Sequence, residues 1–230
     1  MMRTESIVDQ AGQYIREWIV TGEFKPGEQI KEEDISQRLK ISRPPVREAL
    51  KMLEATGLVL RKPRRGVFVP HLTKKDVWEI YILKATLYEL ATALAMDSIS
   101  SQQIGELEAF VQDMEICLEE DPVDLLQYQE IHKAFHKRIM AIAGNTRLKT
   151  LASNLHNQVT PFSYKSLQQK GHLLSSVQYH RRIVEAIKQK DISLACELMK
   201  EHVLNALNVL SEMGDLGPEM PAAFPSHEGS

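Results

Sequence analysis

The pattern of apolar and polar positions divides the chain into a mixed N-terminal part and a longer helical part. The apolar residues near the start recur at intervals of three and four, at Ile7, Ala11, Ile15, Trp18 and Ile19. This spacing predicts a helix over roughly residues 6–20, and similar patterns predict helices over 32–39 and from 42 to about 56. Two short β-rich runs follow, 58–60 and 67–69, and a basic turn joins them. Three helices and such a hairpin predict a winged helix-turn-helix.

Beyond residue 72 the apolar positions have the period of a helix. The predicted helices cover roughly 74–97, 101–119, 122–143, 146–160, 173–189 and 192–213. Thr73 and Asp76 form a capping-box pattern at the start of the first, and Asp121–Pro122 opens the third. Pro161 interrupts or ends the fourth, and the polar stretch 163–172 is either a loop or a helical continuation.

The predicted fold class is therefore mainly α, in two domains. A winged helix-turn-helix domain with a two-stranded wing covers residues 1–72, and an all-α helical bundle covers 73–213. The tail 214–230 carries three prolines and three glycines, a composition that predicts disorder.

Positive charge is concentrated in one segment of an acidic chain. The formal net charge is −3, yet the first 72 residues hold thirteen Lys/Arg against ten Asp/Glu. Within 42–69 there are seven basic residues and only two acidic ones. Such a segment indicates a nucleic-acid partner, and a solvated basic helix face is the alternative interpretation.

The positions of the arginines suit double-stranded DNA. Arg43 and Arg47 lie one turn apart near the N-terminus of the third predicted helix, and the major groove admits one α-helix whose first turns reach base edges. The hairpin tip carries Arg64 and Arg65, which suit a wing that lies on the backbone or in the minor groove. Prolines 44 and 45 are compatible with this helix, because first-turn N–H groups have no intrahelical partner.

The segment SRPPVREALKMLEATGLV, followed by RRGVFV, resembles the DNA-binding region of GntR-family transcriptional regulators over roughly residues 6–71. The resemblance implies that the following residues contact DNA: Ser42, Arg43, Pro45, Arg47, Arg65 and Gly66. Two positions depart from the family pattern. Pro44 replaces a common Thr whose hydroxyl could reach a phosphate, and Glu33 stands where some members have a DNA-contacting Arg.

Four histidines fall where a helical bundle could direct them inward. His132 and His136 are four residues apart and share a helix face, and the last two predicted helices add His180 and His202. Neutral imidazoles suit Zn, Ni, Cu or Fe(II), and a bundle interior can collect them around one ion. A histidine in a helix is more often a surface or core residue, so the spacing alone leaves both interpretations open.

A second resemblance sharpens the metal hypothesis. The motifs FH at 135–136, GN at 144–145, SVQYH at 176–180 and MKEH at 199–202 resemble the all-helical FCD domain of the FadR subfamily, over roughly 74–213. In metal-binding members three histidines and one Asp hold a divalent ion. The resemblance implies that His136, His180 and His202 are ligands, and it puts His132 at the Asp position, as a fourth ligand or as a group that orients another. Four histidines carry no ligand charge, which favours Zn or Ni over Mg, Ca or Mn.

The FCD resemblance also implies an effector-binding residue. A family Arg on the first helix of this domain often helps to hold an anionic effector, and Lys84 stands near that position. A lysine supplies a point charge rather than a bidentate fork. A surface lysine is the alternative. The remaining histidines match no ligand position and are predicted to be structural or solvated: His71, His156, His172 and His227.

These observations predict a cytoplasmic transcriptional regulator that is not an enzyme, and the family resemblance implies that it is a homodimer. A small carboxylate bound at or near a divalent metal would change its affinity for operator DNA, and twofold symmetry would match a palindromic operator. No run of apolar residues approaches a membrane span, and the first segment has no secretory pattern. The two lone cysteines, Cys117 and Cys196, indicate a reduced protein.

Two alternatives remain at this point. The first is the same regulator with structural histidines and a metal-free effector pocket. The second is an all-α metalloenzyme, which is disfavoured because no Glu follows His132 in the manner of HExxH, so that no adjacent general base is supplied.

Overall fold

The computed structural model describes residues 6–214, and the predicted disorder of 215–230 falls outside the described residues. The N-terminal part contains three helices and three short strands. They are α1 (Ile7–Val20), β1 (Gln29–Ile30), α2 (Glu32–Leu39), α3 (Arg43–Ala55), β2 (Leu60–Lys62) and β3 (Gly66–Phe68). This order confirms the predicted winged helix-turn-helix.

The wing belongs to a three-stranded antiparallel sheet in which β3 lies between β1 and β2. Gln29 pairs with Phe68, and Lys62 pairs with Gly66 across the hairpin. The sequence analysis predicts only two strands, because two residues of β1 are too few to establish an alternation. It also places the first hairpin strand too early. Leu58 and Val59 are buried in the core before strand pairing begins at Leu60.

The core of the winged unit is made by the apolar faces of its helices. Val46, Ala49 and Leu50 of α3 are completely buried and pack with Ile15 of α1 in one cluster. Ser42 occupies the N-cap position of α3, and prolines fill the first turn. Because one face of α3 is committed to this core, its other face and its N-terminal turn are left to the solvent.

The elements that follow β3 are all helices, as predicted. They are α4 (Lys74–Met96), α5 (Ser101–Glu119), α6 (Leu125–Ile142), α7 (Thr146–Gln158), α8 (Thr160–Leu167), α9 (Lys170–Lys188) and α10 (Ile192–Glu212). Thr73 and Asp76 form the predicted capping box of α4. Helix α4 packs against α10 and α6, while α9 packs against α5 and α10. The inner faces of α4, α6, α9 and α10 therefore share one core.

The structure corrects the start of one predicted helix and decides two points that the sequence leaves open. Helix α6 begins at Leu125 rather than at Pro122, because the Asp124 carboxylate accepts hydrogen bonds from the Leu126 and Gln127 amides. Pro161 lies in the first turn of α8, where a proline removes no helical hydrogen bond. The polar stretch 163–172 is divided between the end of α8 and the start of α9.

The described residues divide into two compact units. One contains the residues up to Leu72 together with Ser153–Phe162, and the other contains Thr73–Ala152 together with the residues from Ser163 on. Within residues 6–214, none of the helices combines the length and the apolar character that a membrane span requires.

Candidate metal centre and nucleic-acid interface

Four histidines from three helices meet in the core of the helical unit. We call this group the histidine cluster: His132 and His136 of α6, His180 of α9 and His202 of α10. Their side chains are between 0% and 6% exposed. A buried hydrogen bond from the Tyr128 hydroxyl to Ser176 Oγ, 3.0 Å long, links α6 to α9 one turn before His132 and His180.

The Nε2 atoms of the histidine cluster lie close together. His136 Nε2 lies 3.3 Å from that of His132, 3.2 Å from that of His202 and 3.2 Å from that of His180. His132 Nε2 is also 3.2 Å from His202 Nε2. One candidate ligand atom from each residue lies within 4.8 Å of all the others. The sequence analysis singles out these four residues, and the fold brings them together.

Hydrogen bonds alone cannot satisfy this arrangement. An imidazole nitrogen either donates through its N–H or accepts through its lone pair, and it does not do both. His132, His136 and His202 form a triangle of Nε2 contacts, so at least one contact must join two donors or two acceptors. A cation at the centre removes the conflict, because every Nε2 can then direct its lone pair inward.

Three histidines of the cluster have pKa values low enough to keep their rings neutral, so their nitrogen lone pairs are available to a metal. Burial, followed by the neighbouring imidazoles, lowers the pKa of His136 well below its usual value. Burial is also the main reason that the pKa of His202 is far below normal and that of His180 falls to about 4. At neutral pH these rings are uncharged, the form in which histidine binds metals.

The geometry fits a divalent transition metal. Zn–N(His) bonds are about 2.0–2.1 Å long, and a tetrahedron of that radius has edges of about 3.3–3.4 Å. The four short Nε2 separations of 3.2–3.3 Å are close to these edges. His180 Nδ1 lies 2.6 Å from the Ser176 carbonyl oxygen, so its N–H donates there and fixes the tautomer that leaves Nε2 unprotonated.

Lys84 of α4 is buried beside the histidine cluster, which removes the surface-lysine interpretation. Its side chain is 4% exposed. The ammonium lies 5.3 Å from the ring centroid of Tyr81 and 5.2 Å from that of Tyr88. The Tyr88 ring is in turn 5.0 Å from that of His136. Burial lowers the pKa of Lys84 to about 8. The sequence analysis misses both tyrosines, because at helical spacing they are indistinguishable from ordinary core residues.

The other histidines within residues 6–214 lie outside the histidine cluster. His71 is exposed, whereas His156 and His172 are buried. His172 Nδ1 lies 3.2 Å from the side-chain amide nitrogen of Asn205, and burial lowers its pKa to about 4. His227 is outside the described residues.

The predicted DNA-contacting residues lie at two places in the winged unit. Ser42, Arg43 and Arg47 are exposed around the N-terminal turns of α3, where Pro45 is half-buried. The Ser42 side chain makes no capping hydrogen bond. In the wing, Arg64 and Arg65 are exposed and Gly66 is half-buried.

A glutamate that the sequence analysis does not single out holds Arg47. Arg47 Nε donates to Glu32 Oε1 at 3.0 Å, and Arg47 Nη2 donates to Glu32 Oε2 at 2.9 Å. This hydrogen bond is the main cause that lowers the pKa of Glu32, and Arg43 Nη2 lies 3.8 Å from the same carboxylate. Glu32 therefore orders the guanidinium of Arg47 at the surface of α3 and neutralises part of the local charge.

The wing tip depends on Gly66. This residue has a φ of +101°, a left-handed conformation that side chains disfavour. The Gln29 amide nitrogen donates a 2.7 Å hydrogen bond to the Arg65 carbonyl, and a Cβ on Gly66 would lie 2.8 Å from that nitrogen. The glycine thus lets β1 hold the turn that carries Arg64 and Arg65.

A winged helix-turn-helix with an exposed basic helix, followed in the chain by helices that bury a histidine cluster, is the architecture of a class of DNA-binding regulator. The family model "Bacterial regulatory proteins, gntR family" matches residues 7–69, and the FCD domain model matches residues 79–205. The chain belongs to the GntR family of bacterial transcriptional regulators and carries an FCD domain.

Individual relatives agree with this assignment. The chain is 29% identical to the HTH-type transcriptional regulator YdhC of Bacillus subtilis (strain 168), over 84% of each protein. It is 25% identical to the gluconate operon transcriptional repressor of the same strain, over 82% of this chain and 78% of that protein. Among solved structures, E. coli McbR/YncC has the same fold, with a TM-score of 0.77, 21% identity, and coverage of 92% of this chain and 100% of that one.

The buried imidazoles make the metal-free protein sensitive to acid. The pKa values of His172 and His180 are about 4 in the folded protein, whereas a histidine of the unfolded chain has a pKa of 6.5. Below pH 6.5 the unfolded chain therefore binds more protons than the folded protein does. Stability is therefore fully present above pH 6.5 and is lost as the pH falls toward 4. At pH 5.5 the free energy of unfolding should be lower than at pH 7.5 by about 1.4 kcal/mol for each such histidine.

Urea unfolding of chelator-treated protein at the two pH values measures this loss. The variant His172→Gln should lose less stability on acidification than the wild type. His71→Gln, a change at an exposed histidine, should behave like the wild type. Equal unfolding free energies at pH 7.5 and pH 5.5 would contradict the prediction.

Proposed function

We propose that this transcriptional regulator belongs to the FadR subfamily and that a small organic acid, bound at or near a divalent metal in the FCD domain, changes its affinity for operator DNA. The observation that carries the proposal is the triangle of buried Nε2 atoms 3.2–3.3 Å apart. The protein acts in the cytoplasm, with a DNA-binding domain over 1–72 and an effector- and metal-binding domain over 73–213.

The DNA-binding role is assigned to the exposed basic residues of the winged unit. Arg43 and Arg47 of α3 enter the major groove, with Ser42 and Pro45 at the same helix end. The wing residues Arg64, Arg65 and Gly66 follow the backbone or the minor groove. These contacts displace condensed counterions, so binding weakens as the salt concentration rises.

The four residues of the histidine cluster hold the metal, which is Zn or Ni. The donor set supports this choice, because neutral imidazoles suit borderline transition metals, whereas Mg and Ca prefer oxygen ligands. The bound metal supplies an electrophilic centre that an oxygen of the effector can join. A metal-free pocket is less consistent with the triangle of Nε2 contacts, and the transcriptional regulators among the relatives argue against an enzyme.

The effector is a small carboxylate, and Lys84 provides its positive partner on α4. The effector changes operator affinity only as far as it binds one conformation of the protein better than the other. Such coupling is typically about 1–3 kcal/mol, or roughly 5–150-fold in affinity. A few contacts inside the FCD domain are enough to supply it.

The regulator functions as a homodimer that reads a palindromic operator. A stripe of leucines on the outer side of α4 supports this assignment, with Leu83 56% and Leu90 46% exposed. Leu87 and Leu94 are half-buried and continue the stripe at intervals of three and four. This is the spacing of a helix seam that packs against another helix, and a second copy of α4 can bury it.

The variant Arg47→Ala tests the recognition helix. It should weaken specific operator binding by about 1–3 kcal/mol, because a side chain that reads a base edge is lost. Fluorescence anisotropy with a duplex from the promoter beside the protein's own gene measures the change. Arg181→Ala removes an exposed, ion-paired arginine of α9 and serves as the charge-matched control. An unchanged affinity for Arg47→Ala would remove this residue from the recognition role.

The double variant His136→Ala, His180→Ala tests the metal site. Elemental analysis should find about one Zn or Ni per chain in the wild type and none in the variant. Because a metal that binds the folded state stabilises it, a chelator should lower the melting temperature of the wild type only. The double variant His71→Ala, His227→Ala is the control with the same number of histidines removed. Equal metal content in wild type and cluster variant would refute the site.

The double variant Leu83→Glu, Leu90→Glu tests the dimer. Charges along the leucine stripe should yield a monomer in sedimentation velocity, with operator affinity reduced to that of one half-site. Ile116→Glu on α5, where Ile116 is 59% exposed, introduces a charge at another apolar surface position and should leave the dimer intact. A dimer that survives both substitutions on α4 would place the interface elsewhere.

A further inference from the structure

The tip of the wing places an arginine in a strained backbone conformation. The Arg65 amide donates a 3.0 Å hydrogen bond to the Lys62 carbonyl, so residues 62–65 form a tight turn. Arg64 is the third residue of this turn and has a φ of +60°, in the left-handed region where a glycine is usual. The turn therefore accepts strain at the position that carries an arginine side chain at its outer end.

The two arginines of the tip are available to an anion from outside the chain. Arg64 and Arg65 are exposed, and neither has an ion-pair partner within residues 6–214. Arg47 of α3, by contrast, is held by the Glu32 carboxylate at 2.9 Å. The tip thus presents two adjacent unpaired guanidinium groups, which suit the phosphates of DNA or the negative potential of a narrow minor groove.

Gln29 of β1 holds the turn from the neighbouring strand. Its Nε2 donates a 2.7 Å hydrogen bond to the Arg65 carbonyl, although the two residues are 36 positions apart in the chain. Gln29 is brought there by its antiparallel pairing with Phe68 of β3. A Cβ on Gly66 would lie 2.8 Å from the same Nε2, so the glycine leaves room for this contact. The hydrogen bond fixes the plane of the peptide that joins Arg65 to Gly66.

This hydrogen bond restricts the tip more than it stabilises the fold. The bond is exposed to solvent, where water can replace either partner at little cost in free energy. While it is formed, however, the Arg65 carbonyl and the strained residue before it are limited to one arrangement. A tip that is ordered before binding loses less conformational entropy when its side chains contact a partner. The effect of Gln29 should therefore appear in binding.

We propose that Gln29 is a positioning residue for DNA binding, which holds the wing tip so that Arg64 and Arg65 reach the DNA together. This inference rests on the DNA-binding role proposed for the wing. Gln29 acts through the two arginines and is not itself a contact to the DNA. Each arginine that reaches the DNA displaces condensed counterions. Without Gln29, fewer counterions should be released on binding.

Salt-dependent operator binding of the full-length protein tests this role. Gln29→Met keeps the length of the side chain and removes its donor. It should weaken operator binding about three- to tenfold, the scale of ordering one or two side chains. The plot of log affinity against log salt concentration should become shallower by about 0.9 for each phosphate contact that is lost. Fluorescence anisotropy with a duplex from the promoter beside the protein's own gene measures both quantities.

A combined variant separates positioning from a purely structural role. Arg64→Ala, Arg65→Ala removes the charge of the tip. The further addition of Gln29→Met should cause no additional loss of affinity or slope, because Gln29 acts through these side chains. Gln29→Val also lacks the donor but favours a strand, and it should reproduce the effect of Gln29→Met. Gln102→Met, at an exposed glutamine of α5, is the control and should behave like the wild type.

The outcomes distinguish this inference from the proposed function. If Arg64→Ala, Arg65→Ala retains the affinity and slope of the wild type, the DNA-binding role of the wing is wrong and the inference fails with it. If that variant binds more weakly while Gln29→Met and Gln29→Val keep the wild-type slope, only the positioning role is overturned. An undiminished effect of Gln29→Met in the absence of both arginines would overturn it as well. Urea unfolding of each variant confirms that binding is measured on folded protein.

Discussion

Four imidazoles packed into one buried space are the constraint on which the helical domain depends. Each Nε2 is 3.2–3.3 Å from at least one other, and the triangle among them has no consistent assignment of donors and acceptors. Helices α6, α9 and α10 must therefore be held together by the surrounding core, by contacts such as Tyr128 to Ser176, and by whatever occupies the centre. Buried polar groups are normally paired, so the unsatisfied ring nitrogens at this centre support the proposed metal.

In the winged unit, by contrast, the basic residues lie at the surface. Helix α3 buries Val46, Ala49 and Leu50 completely, and this fixes the direction in which its charged face points. Glu32 then holds the Arg47 guanidinium through several hydrogen bonds. In the proposed complex, this pairing restricts the Arg47 side chain before DNA binds, and the DNA must compete with the Glu32 carboxylate for the guanidinium.

The sequence is sufficient to predict the architecture and to bring the four histidines together, because both depend on strong local patterns. Apolar spacing locates each helix of the bundle except α8, and the FCD resemblance aligns His136, His180 and His202 across three of them. The residue at which a helix begins is harder to predict when two candidate N-caps lie close together, and α6 is capped by Asp124 rather than by Asp121. The short strand β1, the Glu32–Arg47 pair and the tyrosines around Lys84 depend on tertiary contacts. No periodicity within one segment encodes them.

The proposed regulation depends on where the site residues lie in the fold. Lys84 lies on α4, whereas the histidine cluster lies on α6, α9 and α10, so an effector that contacts both would connect the helix that opens the FCD domain to the other three. Such an effector would favour the conformation in which the two sides approach, and this differential affinity is what a regulatory equilibrium requires. No Asp or Glu is buried among residues 6–214, so an anionic effector would not compete with a buried carboxylate of the described chain.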